Sequence, residues 1–363
     1  MAELFNFNEI GAIERSSMKK NRIDFSKLYS RLSEKSREDS KPSHCLYCEQ
    51  KHNKFCNSHS VPASFLRNIA VDGKVYTTNK ILDLPLFDTE KGVNNSGTFQ
   101  LICRQCDNQI FREYENYLNY KEHPTDKMIA QIALKNHMRF IGKRRFEISL
   151  YNNMKEEFSK KSARNHLLDG YIDDMLRVAN LDLLEYIRDF KHCKKIIEKE
   201  WLNEHYLFYY EKLDYTVPIA FQGEVCLNFD FLGHPINDIY NKSKDYKLQT
   251  LHISIFPIES QSIIMLFTKN GNKRLRQFYK QYSSLEHKDK LSAINFIIFS
   301  LSEDVFMSKS LHDRFMENDS LKRVAGLTSI QFSEKNNISQ EGLTEEFDLS
   351  KRNDIPNFLL MEN

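Results

Sequence analysis

Apolar side chains at Ile110, Phe111, Tyr114, Tyr117 and Leu118 recur at spacings of three, four and seven. That period predicts a helix with one apolar stripe. His123-Pro124 ends it, since proline offers no N–H and restricts the residue before it. A second helix is predicted over 125–140, closing on the basic run GKRRF. Residues 150–200 keep a helical, strongly charged pattern. The period then shortens: HYLFYYEKL, TVPIAFQGEVCLNF, LQTLHISIFPI and QSIIMLFTKNG are rich in β-branched and aromatic residues with turn residues between them, which predicts strands. Helical spacing returns from 272 to about 325.

The flanks and the segment 44–122 read differently. Ile23, Phe25, Leu28 and Leu32 give residues 1–43 a loose helical pattern in which Lys and Arg outnumber the acids, ending in the polar stretch SEKSREDSKPS. Segment 44–122 holds most of the turn punctuation around two short strand-like runs, VYTT and TFQLIC. The last residues are acidic and polar apart from FLLM, as in a tail or a docking peptide. The expectation is an α+β chain with a basic helical arm (1–43), a turn-rich domain with its following basic helix (44–145), a larger mixed α/β regulatory or sensing domain (146–335) and an acidic tail (336–363).

Charge changes this picture little. The 363 residues carry 52 Lys and Arg against 50 Asp and Glu, a formal charge of +2, so any nucleic-acid face must be local. No apolar run approaches the roughly 18 residues needed to span a bilayer, and the first residues lack the basic-then-apolar order of a secretory signal. A soluble cytoplasmic protein is expected, with no membrane partner. Four of the seven cysteines stand in Cys-x-x-Cys pairs; without a secretory signal, such pairs suit a metal better than a disulfide framework. Cys45, Cys48, Cys103 and Cys106 are the expected ligands of a structural Zn2+, two sulfurs from each turn on one tetrahedral ion. Cys56 could replace one of them. Cys193 and Cys226 sit among apolar residues and are expected in the core.

A closed four-cysteine zinc has no open position for chemistry, so any reaction belongs to the loop that it ties. There the chain reads Ser58-His59-Ser60-Val61-Pro62, with Asp107, Asn108, Glu113 and Glu115 after the second knuckle. Cys-x-x-Cys, His-x-x-Pro, then Leu-Ile-Cys-x-x-Cys followed by a polar residue resembles the zinc-stapled branch of the HNH (ββα-metal) endonucleases, over about residues 44–120. The resemblance implies a ββα-metal fold for this segment and hydrolysis of DNA phosphodiester bonds with Mg2+ or Mn2+. It makes His59 the general base, and Ser58 and Asp107 ligands of the catalytic ion, with Glu115 a further candidate. It also suggests an anti-phage defence effector held in check by its second domain.

The chain departs from that pattern at identifiable places. Ser58 stands where Asp or His is usual, and the central asparagine of the family has no clean counterpart, Asn94 and Asn95 lying slightly early. Phe111 occupies a position where some members place a second ligand. Glu115 is eight residues beyond Asp107, about 12 Å along a continuous helix, too far to share one ion. Simpler roles also exist: Asp107 as a helix cap, Glu115 as a solvated helix residue, His59 as a hydrogen-bonding loop histidine. Arg139, Lys143, Arg144 and Arg145, interleaved with Phe140, are the densest basic run and are expected to track a DNA backbone, or else to be a solvated helix end facing its dipole. Nothing in 146–363 carries a catalytic motif, metal-spaced histidines included, and that part is expected to meet a protein partner or a second copy. The competing function is a non-catalytic zinc-knuckle module that binds nucleic acid or protein.

Overall fold

The computed structural model describes residues 22–82, 88–159, 166–239, 241, 243, 245–327 and 347–360. The first elements are helix α1 (Arg22–Asp39), strand β1 (Ser58–His59), helix α2 (Ala63–Arg67), strand β2 (Lys74–Thr77), helix α3 (Asn79–Leu82), strands β3 (Glu90–Gly92) and β4 (Thr98–Phe99), and helices α4 (Arg104–Ile110) and α5 (Arg112–Glu115). Two 34-residue helices follow, α6 (Asp126–Ser159) and α7 (His166–Lys199). Then come β5 (His205–Leu213), β6 (Ile219–Val225), β7 (Leu251–Ile258), β8 (Gln261–Lys269), α8 (Arg276–Ser284), α9 (His287–Leu301) and β9 (Phe306–Met307).

Seven strands form one sheet in the order β3-β2-β9-β6-β7-β8-β5, with every pairing antiparallel. Every residue of β6 and β7 is buried, so the sheet is the middle layer of three. Side chains alternate along a strand, and the two faces enter different cores. Ala220, Phe256, Ile258, Ile263, Met265 and Phe267 pack with α6 and the cysteine-rich segment, among Phe65, Tyr114, Ile129 and Ile132. Ile219, Phe221, Ile253, Ile255, Ile264 and Leu266 pack beneath α8 and α9.

Several expectations are met: a mixed α/β chain, strands in the four β-rich runs, and helices after 272. The last described residues dock, as a peptide would. Asn295 of α9 donates to the Pro356 carbonyl (3.0 Å) and accepts from the Phe358 N–H (3.1 Å), while Phe299 and Phe358 lie 5.4 Å apart between ring centres. The helix expected to end at 140 instead continues to Ser159, because its basic residues find carboxylates on neighbouring elements and form no solvated end. The helix expected over 108–120 is broken at Phe111 (φ −98°, ψ 0°) into α4 and α5. The basic arm is also no free arm where it is described. α1 lies on α6 and α7 through Leu32, Leu150, Tyr151, Met154 and Ile172, and Arg31 pairs with Glu157 at 2.9 Å. Strands β2 and β3, from the expected zinc domain, share one sheet with β5 to β9 of the expected second domain.

Candidate functional site

The four cysteines converge. One sulfur from each of Cys45, Cys48, Cys103 and Cys106 lies within 4.8 Å of all the others. Local structure explains how. The first knuckle is a turn closed by Cys45 N–H on Gln50 O at 2.8 Å, with Glu49 in the left-handed region (φ 62°). It is stitched to the second by Leu46 N–H on Leu101 O (2.9 Å) and Cys56 N–H on Ile102 O (2.7 Å). Cys103 caps α4, its sulfur accepting from Cys106 N–H (3.5 Å), and Cys45 Sγ accepts from Cys103 N–H (3.4 Å). Burial pushes the Cys45 thiol up, but N–H donors from Cys103, Cys48 and Tyr47 outweigh it and leave it below the ordinary value. Burial and the neighbouring thiols push Cys106 up, the situation that a bound cation reverses. Sulfurs so placed, with N–H donors aimed at them, could hold a zinc ion. Cys56 is not among them: its thiol donates to Asp107 Oδ2 at 3.3 Å, and burial with Asp107 pushes it up to about 11.

The two cysteine knuckles hold a small ribbon. β1 and β4 pair antiparallel, Ser58 opposite Phe99 and His59 opposite Thr98, and the chain then enters α4 through the second knuckle. The ribbon is pinned to the sheet at Gly97 (φ +63°), where a Cβ would stand 2.3 Å from Ser60 Oγ and 2.8 Å from Phe306 Cζ. His59 is half-buried. Its Nε2 lies 3.1 Å from the Val93 carbonyl, which can only accept, so Nε2 carries the proton and Nδ1 has the lone pair. Burial pulls the His59 pKa below the ordinary histidine value; the Val93 bond opposes this, Lys135 adds to it and Asp107 offsets part. A neutral imidazole with a free Nδ1 is a competent base near neutral pH.

Ser58, Asp107 and Glu115 also come together, around a cation of the chain's own. The Lys135 ammonium, with a side chain only 1% exposed, lies 3.1 Å from Asp107 Oδ1 and 3.1 Å from Glu115 Oε1. Ser58 donates to the same Asp107 Oδ1 at 2.7 Å, and the ammonium stands 3.7 Å from the centre of the Phe111 ring. Burial raises the Asp107 pKa, but Lys135, Ser58 and Cys56 outweigh it and hold the carboxylate below its usual range. The expectation that Asp107 and Glu115 cannot share one partner is corrected. It assumed a continuous helix, and the break at Phe111 turns both onto one ammonium. Asp107 sits in the first turn of α4, but the cap is Cys103.

Three of the four basic candidates are engaged within the fold. Arg139 makes a two-pronged contact with Asp304 (2.8 and 3.2 Å), Lys143 reaches Glu303 (2.7 Å), and Arg144 pairs with Glu147 and with Asp182 (3.0 Å). Arg145 has no carboxylate partner among the described residues; burial lowers its pKa. The run therefore lies in the middle of α6 and is neither a helix end nor a solvated one.

A further set of chemistry-bearing residues escaped the sequence. His137, Glu224 and His252 are buried, with one ligand atom from each mutually within 4.8 Å. Their spacing of 87 and 28 residues is no motif. Glu224 and His252 alternate with Val225, Gly223, Leu251 and Ile253, a pattern that suits a strand with a solvated face as well as one with a buried polar face. Cys193 and Cys226 are outside both groups; Cys193 is buried, as expected, whereas Cys226, also expected in the core, is only half-buried. Among the described residues no helix is long and apolar enough to cross a membrane. No protein-family model matches this chain, and no curated protein or solved structure is significantly similar to it.

Proposed function

We propose that the segment around His59 is an HNH-like endonuclease site organised by a structural zinc. The observation that carries this reading is the His59 ring, fixed on a knuckle-tied ribbon with Nε2–H on Val93 and Nδ1 free, beside oxygens that converge on one cation. Nδ1 takes a proton from water as the water oxygen bonds to phosphorus and the bond to the departing sugar oxygen breaks. Asp107, Glu115 and Ser58 offer the hard oxygens that a divalent ion takes, and the Lys135 ammonium stands in for such an ion. Mg2+ or Mn2+ held there would neutralise charge on the scissile phosphate. DNA is the substrate implied by the resemblance.

A second reading rests on Lys135 itself. If the ammonium remains between the carboxylates in every state, the segment is a zinc-stapled scaffold that binds nucleic acid or protein without cutting, and the ion pairs of Arg139, Lys143 and Arg144 are purely structural. Plasmid cleavage by the wild type and by His59→Ala, each with Mg2+ and with Mn2+, separates the two. Loss of cutting with unchanged DNA affinity is the nuclease outcome, since a base acts on the transition state more than on ground-state binding.

A further inference from the structure

Beneath α6 the sheet carries a row of polar side chains where an apolar face would be expected. Gln222 and Glu224 on β6, and His252 and Ser254 on β7, share the face of Ala220 and Phe256, and all four are buried. Gln222, Glu224 and His252 meet Asn136 and His137, consecutive residues of α6 that are also buried. His137 Nδ1 lies 2.8 Å from Glu224 Oε1. His252 Nε2 faces the other oxygen, Oε2, at 4.0 Å, too far for a hydrogen bond. The rings of His137 and His252 are nearly perpendicular, with centres 5.4 Å apart. The His205 ring from β5 closes one side, 6.2 Å from His252, and the buried Cys193 of α7 lies close to the His137 ring.

Burying this much polarity is costly unless every group is paired, and here the pairing is incomplete. Gln222 Nε2 donates to Asn136 Oδ1 (3.0 Å), and Asn136 Nδ2 lies 3.1 Å from His252 Nδ1. Gln222 Oε1 is buried without a partner. Rotating both amides would put Gln222 Oε1 on Asn136 Nδ2 and Asn136 Oδ1 on His252 Nδ1. His252 would then donate through Nδ1 and turn a free Nε2 lone pair toward Glu224. An outer oxygen fixing the far nitrogen of a histidine is the usual support of a metal ligand.

We infer that His137 Nδ1, the Glu224 carboxylate and His252 Nε2 form a second metal site, taking a divalent ion of the zinc class between α6 and the sheet. Two imidazoles and one carboxylate are a donor set that zinc accepts. At bond lengths of about 2.0–2.1 Å its ligands sit roughly 3.3 Å apart, between the 2.8 Å and 4.0 Å separations found here. The ion would supply positive charge to a carboxylate whose one hydrogen-bonded basic partner among the described residues is His137, and would join α6 to β6 and β7. It would also fix the helix turn that presents Lys135 to Asp107 and Glu115. This inference does not depend on the nuclease reading.

The test is metal content after loading the full-length chain with Zn2+ and removing the excess. Wild type should hold about one zinc more than Glu224→Gln, which keeps the side-chain size, and more than His252→Gln, whatever the cysteines hold. X-ray absorption at the zinc edge should show nitrogen and oxygen neighbours besides sulfur in the wild type, and sulfur alone in Glu224→Gln. If neither variant folds, the wild-type spectrum decides: mixed neighbours support the site, and a sulfur-only shell overturns it. Equal zinc in wild type and a folded Glu224→Gln also overturns it.

Discussion

At Lys135 a single ammonium separates two carboxylates and touches an aromatic face, with almost none of its side chain in water. Lys135→Met would leave Asp107 and Glu115 facing each other without a cation. Stripping one partner from a buried ionic group costs about 3 kcal/mol or more. That loss should appear in denaturant melts in metal-free buffer and shrink when Mn2+ is added; a variant as stable as the wild type would mean that the three charges are not coupled. His59 gives the second residue-scale prediction. Its folded pKa lies below the ordinary histidine value of about 6.5, so the active neutral form persists to more acid pH than in a free histidine. The acid limb of the cleavage rate should therefore fall below about 6.5, and a limb above that value would contradict the burial-driven shift. The convergence of the four cysteines was legible in the sequence because three-residue spacing is local information. Lys135 was not: its role depends on a helix break at Phe111 and on a helix that starts fifteen residues after that break.

At the scale of elements, the ribbon β1–β4 is held to the sheet by a close approach at Gly97. Gly97→Ala would both strain a backbone at φ +63° and drive a methyl into Ser60 and Phe306, at a cost of about 2 kcal/mol. Thermal melts should show that loss, and an unchanged melting temperature would mean the ribbon can shift away from Phe306 freely. Runs rich in β-branched and aromatic residues with turn residues between them made the strands legible, and proline marked the start of α6. The end of α6 was not legible, because Asp304, Glu303 and Asp182 lie 165, 160 and 38 residues from the bases they neutralise. A basic run reads as solvated or DNA-facing until those partners are known.

On the scale of the whole molecule, the cysteine-rich segment and the sheet are one packed body: β2 and β3 pair into the sheet, and Phe65, Tyr114 and Tyr120 pack on Phe256. Metal binding and folding are coupled at such sites. Cys103→Ser should lower zinc content by about one per chain and destabilise the sheet along with the knuckles. Hydrogen exchange would check this: faster exchange in Val75 and Tyr76 as well as in 45–106 is expected, whereas exchange confined to the knuckles would mean that the two parts fold separately. The central claim is that His59 is the base of a phosphodiester-cleaving site. Its most direct measurement is supercoiled-plasmid cleavage by wild type and His59→Ala of equal zinc content, with Mn2+ and with Mg2+. Cleavage by the wild type and at least about a 10²-fold slower rate for the variant are predicted; equal rates, or no cleavage by the wild type with either ion, would contradict it.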